Sequence, residues 1–318
     1  MVKRYRAAIL GTGNIGTDLL IKVLHSRYLD CVAFVGRNLH SPGMIKAQSL
    51  GVTCSDRGIN YIVEHANDID LVFDATSASA HTLHAPILKK LNIKAIDLTP
   101  ARIGPMCIPV VNLHDAVLVD NVNMVTCGGQ TSIPIAYAIG QTQKNVEFIE
   151  VNSSIAARSA GPATIENLEE YLRTTEHGLR YFSGVDNVKT TLSLNPTVPC
   201  IHMHATISAL IKKTRLKKLC DFLKPLLKRM KRYVPGYQLI SGPEFSDGKL
   251  SLTVKVKGLG DYLPEYAGNL DIINCAALAT AEEYARSSAG DFSLSSRIPP
   301  LFANSDITGE NTQVTETI

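Results

Sequence analysis

No stretch of apolar residues in the sequence approaches the roughly 20 needed to cross a bilayer, which excludes a transmembrane helix. The seven cysteines contain no Cys-x-x-Cys pair, so the usual spacing of a structural zinc or a redox dithiol is missing. Their odd number in a chain of 318 residues fits a reducing cytoplasm rather than a disulfide framework. Internal repeats and low-complexity tracts are absent. Aromatics make up only 6% and the net charge is only +3, too little basic and aromatic surface for a nucleic-acid binder.

What is present is ordinary for a soluble enzyme or binding protein: 45% hydrophobic and 19% charged residues, enough chain for one large or two medium domains. The N-terminal stretch MVKRYRAAILG has positive charges before a few apolar residues. It reads as a strand entering a turn, not as a signal peptide. Charge is unevenly spread. Between Lys212 and Arg232 the chain carries +9, and the remainder carries −6. Leu216, Leu219, Leu223 and Leu227 recur there at helical spacing, so the segment reads as an amphipathic helix with a solvated basic face. A phosphate-rich ligand or an acidic protein partner are the sharper readings.

Up to residue 127, short apolar strands alternate with helices. Strands are expected at Arg6–Leu10, Cys31–Gly36, Asp70–Ala75, Lys94–Leu98 and Met124–Cys127, and helices at Asn14–Arg27, Met44–Leu50 and around His81–Leu91. Nearly continuous apolar strands separated by helices imply a parallel sheet covered on both faces. Beyond Asn145 the expected strands are longer and more polar: Val146–Ala156, Val188–Leu194, Ile201–Ile207, Tyr237–Ile240 and Leu250–Lys257. Asp247-Gly248 signals a hairpin between the last two. Helices are expected near 164–182 and 214–232, with Pro225 breaking or kinking the second. The fold class is thus α/β, a Rossmann-type doubly wound parallel sheet with a second α+β dimerisation or substrate domain. The expected boundaries are 1–127 for the nucleotide domain, 128–268 for the second domain, a helix at about 269–300 returning to the first, and a polar tail at 301–318.

Gly11-Thr12-Gly13-Asn14-Ile15-Gly16 follows the first strand and opens the first helix. The first glycine permits the tight turn, the second lets backbone approach a pyrophosphate, and the third lets helix pack on strand. The helix N-terminus supplies N–H groups and partial positive charge to the phosphates. The acid expected about 20 residues later, to hold the ribose hydroxyls, is missing. Asn38 can hydrogen-bond a ribose, while Arg37 could accept a 2′-phosphate, so NAD and NADP both stay open.

Cys127 lies in Val125-Thr-Cys-Gly-Gly-Gln-Thr-Ser132, at the expected carboxyl edge of the sheet. Thr131 or Ser132 can cap the helix that follows, with Pro134 in its first turn. A thiol beside a helix N-terminus should have a lowered pKa, and Gly128 and Gly129 expose N–H groups for an oxyanion. Together with a nicotinamide, that thiol is equipped to oxidise an aldehyde through a thiohemiacetal and a thioester. The other readings are a phosphorylating semialdehyde dehydrogenase and a non-enzymatic Rossmann sensor with an inert, buried Cys127.

Several motifs in order carry a resemblance: Gly11–Asp18 (GTGNIGTD), Asp74–Ser77 (DATS), Ile96–Pro100 (IDLTP), Val122–Gln130 (VNMVTCGGQ), Ser159–Pro162 (SAGP), Val234–Tyr237 (VPGY) and Tyr262–Asp271 (YLPEYAGNLD). Over residues 5–286 the chain resembles the acylating acetaldehyde dehydrogenases that work with a 4-hydroxy-2-oxovalerate aldolase in bacterial degradation of aromatic compounds. The resemblance implies conversion of acetaldehyde, NAD and coenzyme A to acetyl-CoA and NADH. It implies a homodimer formed through the middle domain and acetaldehyde delivered through a tunnel from the aldolase. By resemblance Cys127 matches the acyl-thioester nucleophile, Thr12 to Ile15 the pyrophosphate turn, and Asn269 the asparagine near the nicotinamide. Ser159, Ala160, Gly161, Pro162, Ala163, Thr164, Ile165, Glu166 and Asn167 match a second nucleotide-contacting loop. Ala163, Ile165 and Glu166 depart there from the usual Gly-Thr-Arg-Ala pattern. The basic segment would serve as a coenzyme A phosphate site, an aldolase docking face or solvated surface.

One departure bears on mechanism. The family usually reads Arg-Asp-Thr where this chain has His204-Ala205-Thr206, and the replaced Asp is the family's expected general base. Ala205 cannot move protons. His202 and His204 face opposite to it in a strand. The expectation is that His204 or a water takes the base role, helped by a lowered thiol pKa.

Overall fold

The computed structural model describes residues 4–161 and 167–288. The polar tail, the end of the 269–300 segment and loop positions Pro162, Ala163, Thr164, Ile165 and Glu166 lie outside the described residues.

The first half builds strands β1 (Tyr5–Leu10), β2 (Leu29–Val35), β3 (Cys54–Ser55), β4 (Leu71–Asp74), β5 (Lys94–Asp97) and β6 (Asn121–Asn123). They form one parallel sheet in the order β3-β2-β1-β4-β5-β6, the doubly wound arrangement whose strand order reverses beside β1. Helices α1 (Asn14–His25), α2 (Pro42–Ser49), α3 (Ile59–Glu64), α4 (Ala78–Lys90) and α5 (Pro109–Ala116) lie between the strands. Side chains alternate along each strand, so β1 sends Ala7 and Ile9 into one core and Ala8 and Leu10 into another. Both faces are therefore covered, which is why these strands read as unbroken apolar runs.

The second half carries α6 (Cys127–Thr142), β7 (Val146–Ala156), α7 (Leu168–Ser183), β8 (Val188–Asn195), β9 (Met203–Ile211), α8 (Leu216–Tyr233), β10 (Tyr237–Ser246) and β11 (Lys249–Val256). Their sheet runs β10-β11-β9-β7-β8, with β7 and β8 parallel and the other pairs antiparallel. Only one face is buried. On β9, Met203, Ala205 and Ile207 enter the core while His204 and Thr206 lie on the other face. There Thr206 pairs with Thr253 at 3.0 Å. Helix α9 (Gly268–Ser288) then returns to the first sheet, adding Ile273, Ala276, Ala277 and Tyr284 to the core that holds Ile9 and Leu19.

Four local expectations are corrected. The strand expected at Met124–Cys127 ends at Asn123, and Cys127 is the first residue of α6. The cap is Thr126 rather than Thr131 or Ser132: its extended backbone presents Oγ1 to the N–H of Gly129 at 2.8 Å. Pro134 therefore sits inside the helix, not in its first turn. Finally, α8 runs unbroken through Pro225. Pro225 and Asp221, whose carbonyl it leaves without an N–H partner, are both exposed, so water can satisfy that group. Meanwhile Leu219, Phe222, Leu223, Leu226 and Met230 hold the helix to the core.

A buried charge cluster joins the two ends of the chain. Lys22 on α1 places Nζ 3.2 Å from Asp18, 2.7 Å from Asp271 on α9 and 2.6 Å from Asp261. Burial alone would lower the ammonium pKa, but the carboxylates outweigh it and hold it above its ordinary value. Removing one partner of such a cluster leaves uncompensated buried charge. Lys22→Met is expected to lower stability by about 3–5 kcal/mol in urea unfolding, with part recovered by adding Asp271→Asn.

Candidate active site

The carboxyl ends of β1, β4, β5 and β6 meet at a pocket of about 110 Å³. Ile15 comes from the glycine turn, Thr76 and Ser77 from the turn after β4, and Thr99 and Pro100 from the turn after β5. Val125, Thr126 and Cys127 enter from the turn after β6, Asn167 and Tyr171 from the start of α7, and Leu270 and Ile273 from α9.

The turns after β4, β5 and β6 are each held from below by a buried polar group at the strand end. Asp74 accepts from the Thr76 N–H at 3.1 Å and from the Thr76 hydroxyl. Its other oxygen meets His81 Nδ1 at 2.9 Å and His84 Nδ1 at 2.8 Å. Burial would raise this carboxyl, yet the two histidines and Thr76 hold it well below the usual carboxylate range. Burial would likewise lower His81, but the Asp74 contact raises it. Asp97 accepts from the Thr99 N–H at 2.7 Å and from Asn123 Nδ2 at 2.8 Å. Asn123 Oδ1 in turn accepts from the Val125 N–H at 2.9 Å. Val125 is β-branched and has φ 61°, a left-handed conformation such residues rarely adopt, so this bond helps to over-determine a strained turn. The turn delivers Cys127 to the first position of α6.

Cys127 touches both cores, that of the second sheet and that of the first. It keeps part of its surface open, while its sulfur lies 3.4 Å from the Tyr171 hydroxyl. The expectation of a lowered thiol pKa is not met. Burial pushes the thiol up, and hydrogen bonds from Tyr171 and the Gly128 backbone pull down without overcoming it. The oxyanion expectation also changes, because the Gly129 N–H is already taken by Thr126. Gly128 has its own reason to be glycine: a Cβ there would overlap the Tyr171 hydroxyl.

The glycine turn fits a dinucleotide. Gly11 has φ +113° and would drive a Cβ into the Ala75 carbonyl, and a Cβ on Gly16 would strike the Gly11 carbonyl. Gly13 faces open space, and α1 has no side-chain cap, so its first N–H groups are not taken by a capping side chain. Gly11, Thr12, Gly13, Asn14, Ile15 and Gly16 are thus brought together with Cys127 through Ile15. Asn269 is buried beside Ser159, donating to its carbonyl at 3.4 Å, and Asn269 Oδ1 has no hydrogen-bond partner among the described residues. Its neighbour Leu270 lines the pocket. Asn38 stands apart on the exposed turn after β2, where its Oδ1 accepts from the His40 N–H at 2.9 Å.

His204 is not brought to the site. It lies on the sheet face opposite Ala205, with Nδ1 2.8 Å from the His202 carbonyl, and does not line the pocket. The reason is the strand alternation itself: Ala205 occupies the inward position. Among the described residues lining the pocket, the titratable side chains are Cys127 and Tyr171. Sequence reasoning missed Thr126 and Tyr171. A Ser/Thr directly before the helix could have indicated the cap. Nothing local marks Tyr171, which belongs to an amphipathic helix far along the chain.

Fold and site define a Rossmann-type protein with a thiol placed at the carboxyl edge of its nucleotide sheet. Residues 127–264 match the family described as prokaryotic acetaldehyde dehydrogenase, dimerisation. The chain is 57% identical to an acetaldehyde dehydrogenase of Spirochaeta aurantia over 89% of its own length and 96% of that protein. It is 52% identical to one of Pectobacterium atrosepticum over 88% and 95%. Among solved structures it is similar to aspartate semialdehyde dehydrogenase of Candida albicans, with TM-score 0.61 and 11% identity over 91% of this chain and all of that one. The Vibrio cholerae aspartate semialdehyde dehydrogenase II gives TM-score 0.58 and 14% identity over the same shares. These two show the fold. The chain belongs to the acetaldehyde dehydrogenase family and is an oxidoreductase.

Because the thiol pKa is raised, the thiolate fraction at neutral pH is small and grows as pH rises. Alkylation of Cys127 by iodoacetamide, followed by mass spectrometry, should therefore accelerate steadily from pH 7 and reach no plateau below the ordinary thiol value of 9.0.

Proposed function

We propose that the protein oxidises acetaldehyde to acetyl-CoA, using NAD as hydride acceptor and coenzyme A as acyl acceptor, with Cys127 as nucleophile. The observation that carries this reading is one pocket running from the glycine turn at Ile15 to the Cys127 sulfur. When bound, the nicotinamide supplies a two-electron hydride acceptor. The chain's residues do the rest. Gly11 to Gly16 and the start of α1 hold the pyrophosphate, and Asn269, whose buried Oδ1 is unpaired among the described residues, takes the carboxamide. Ser159 to Asn167 complete that site. Asn38, beyond the pocket, is assigned to the adenosine ribose.

Cys127 loses its proton to water, since no carboxylate or histidine lines the pocket among the described residues. The thiolate adds to the aldehyde carbon, hydride leaves that carbon, and the resulting thioester on Cys127 is cleaved by the coenzyme A thiol. Deprotonation by water rather than by His204 accords with the placement of His204 outside the pocket. In this reading a cytoplasmic homodimer forms through the second sheet and receives acetaldehyde from an aldolase partner. The family match over residues 127–264 supports the dimer, and the sequence resemblance supports the aldolase.

An NADH absorbance assay with acetaldehyde, run with and without coenzyme A, tests the reading. Turnover should require coenzyme A. Cys127→Ser should lose on the order of 10⁴-fold or more while still binding NAD, and His204→Ala should stay within about twofold of wild type, as expected of a group outside the site. Coenzyme A-dependent turnover retained by Cys127→Ser would overturn the assignment.

A further inference from the structure

Among the described residues the pocket pairs its thiol with one other ionisable side chain, and that side chain has no role in the steps above. Tyr171 brings its hydroxyl 3.4 Å from the Cys127 sulfur. The hydroxyl sits where Gly128 leaves room for it. Burial, and then the nearby Cys127 charge, push its pKa well above the ordinary tyrosine value. A phenol in that state is a donor at every working pH and cannot be a base.

Its position is not free to drift. Tyr171, Thr174, Thr175, Gly178 and Leu179 form one stripe of α7 facing α6 and the site. Thr175 donates to the Tyr171 carbonyl at 2.8 Å and lies 2.7 Å from the Thr126 hydroxyl. A hydroxyl has one hydrogen, so Thr126 must donate to Thr175 while accepting from Gly129. Tyr171 and Cys127 are therefore registered against the same capping residue.

We propose that Tyr171 is a catalytic residue of this site, its hydroxyl forming with the Gly128 N–H the donor pair for the developing oxyanion. The inference rests on Cys127 being the nucleophile. Once the thiol has ionised, the Tyr171 O–H donates to the thiolate. As the sulfur lone pair forms the S–C bond, the carbonyl π pair moves onto oxygen, and the hydrogen bond passes from sulfur to that oxygen. When hydride leaves the carbon for the nicotinamide, the oxygen lone pair restores C=O and the thioester forms. The phenolic proton stays on Tyr171 throughout, so oxidation needs no base beyond the water that ionised the thiol. This arrangement answers two features at once: Ala205, which cannot act on protons, and the Gly129 N–H, which is already engaged.

Tyr171→Phe removes only the hydroxyl. Alkylation of Cys127 by iodoacetamide in the cofactor-free protein should shift to higher pH by about one unit, seen as about tenfold slower modification near neutrality. Turnover with acetaldehyde, NAD and coenzyme A should fall on the order of 10²-fold in kcat, with KM for acetaldehyde little changed. If circular dichroism shows that variant unfolded, Tyr171→3-fluorotyrosine keeps the shape with a more acidic hydroxyl and should move the alkylation profile to lower pH. Superimposable alkylation profiles together with kcat within twofold of wild type would overturn the role of Tyr171 alone. Failure of the wild-type protein to alkylate at Cys127 would instead remove the functional reading beneath it.

Discussion

The hydrogen bond from the Gly129 N–H to the Thr126 hydroxyl fixes where α6 begins, and the site depends on that starting point. Were the helix to begin one residue later, Cys127 would fall at the non-helical N-cap position and the helix would no longer set the direction of its Cβ. The same Thr126 hydroxyl ties α7 to α6 through Thr175, so the cap sets both the direction of the thiol and the distance to Tyr171. An N-cap is ordinarily worth about 1 kcal/mol of helix stability. Here its larger consequence is geometric.

Beneath the cap lies a layer of polar side chains at the strand ends, Asp74, Asp97 and Asn123, each fully buried. Each sends its oxygen atoms to backbone N–H groups of the turn two residues on. Strand ends in a parallel sheet have carbonyls and N–H groups that the next turn must satisfy. Using carboxylate and amide side chains for that purpose makes the turns rigid without adding helices. The histidines on α4 then keep Asp74 ionised despite its burial. The layer turns a generic sheet edge into a fixed platform.

Much of the fold was legible because periodicity and burial agree. Both-face burial wrote β1, β4 and β5 as apolar runs, and the Gly11–Gly16 turn named its own strand and helix. The short elements β3, α3 and α5 were not legible, being too brief for a period to show. Pro225 misled because a proline's cost depends on whether water reaches the carbonyl it strands, which sequence does not record. At the site, Cys127 could be found from its neighbours, but its environment could not. The reading that its thiol would ionise easily followed from the helix terminus alone. Burial among residues distant in sequence reverses it, and Tyr171, 44 residues away, offsets that only in part. His204 lies outside the pocket for a reason the strand alternation already contained: it faces away from where Ala205 points.

The salt cluster around Lys22 has a bearing on how the site meets its ligands. Because α1 follows the glycine turn and α9 carries Asn269, a buried ammonium clamped between them acts as a rivet joining the two helices. Two of its three carboxylates are buried, so salt ions in solvent screen it weakly. The two helices are thereby held together before any ligand arrives, and less ordering entropy is lost when one binds.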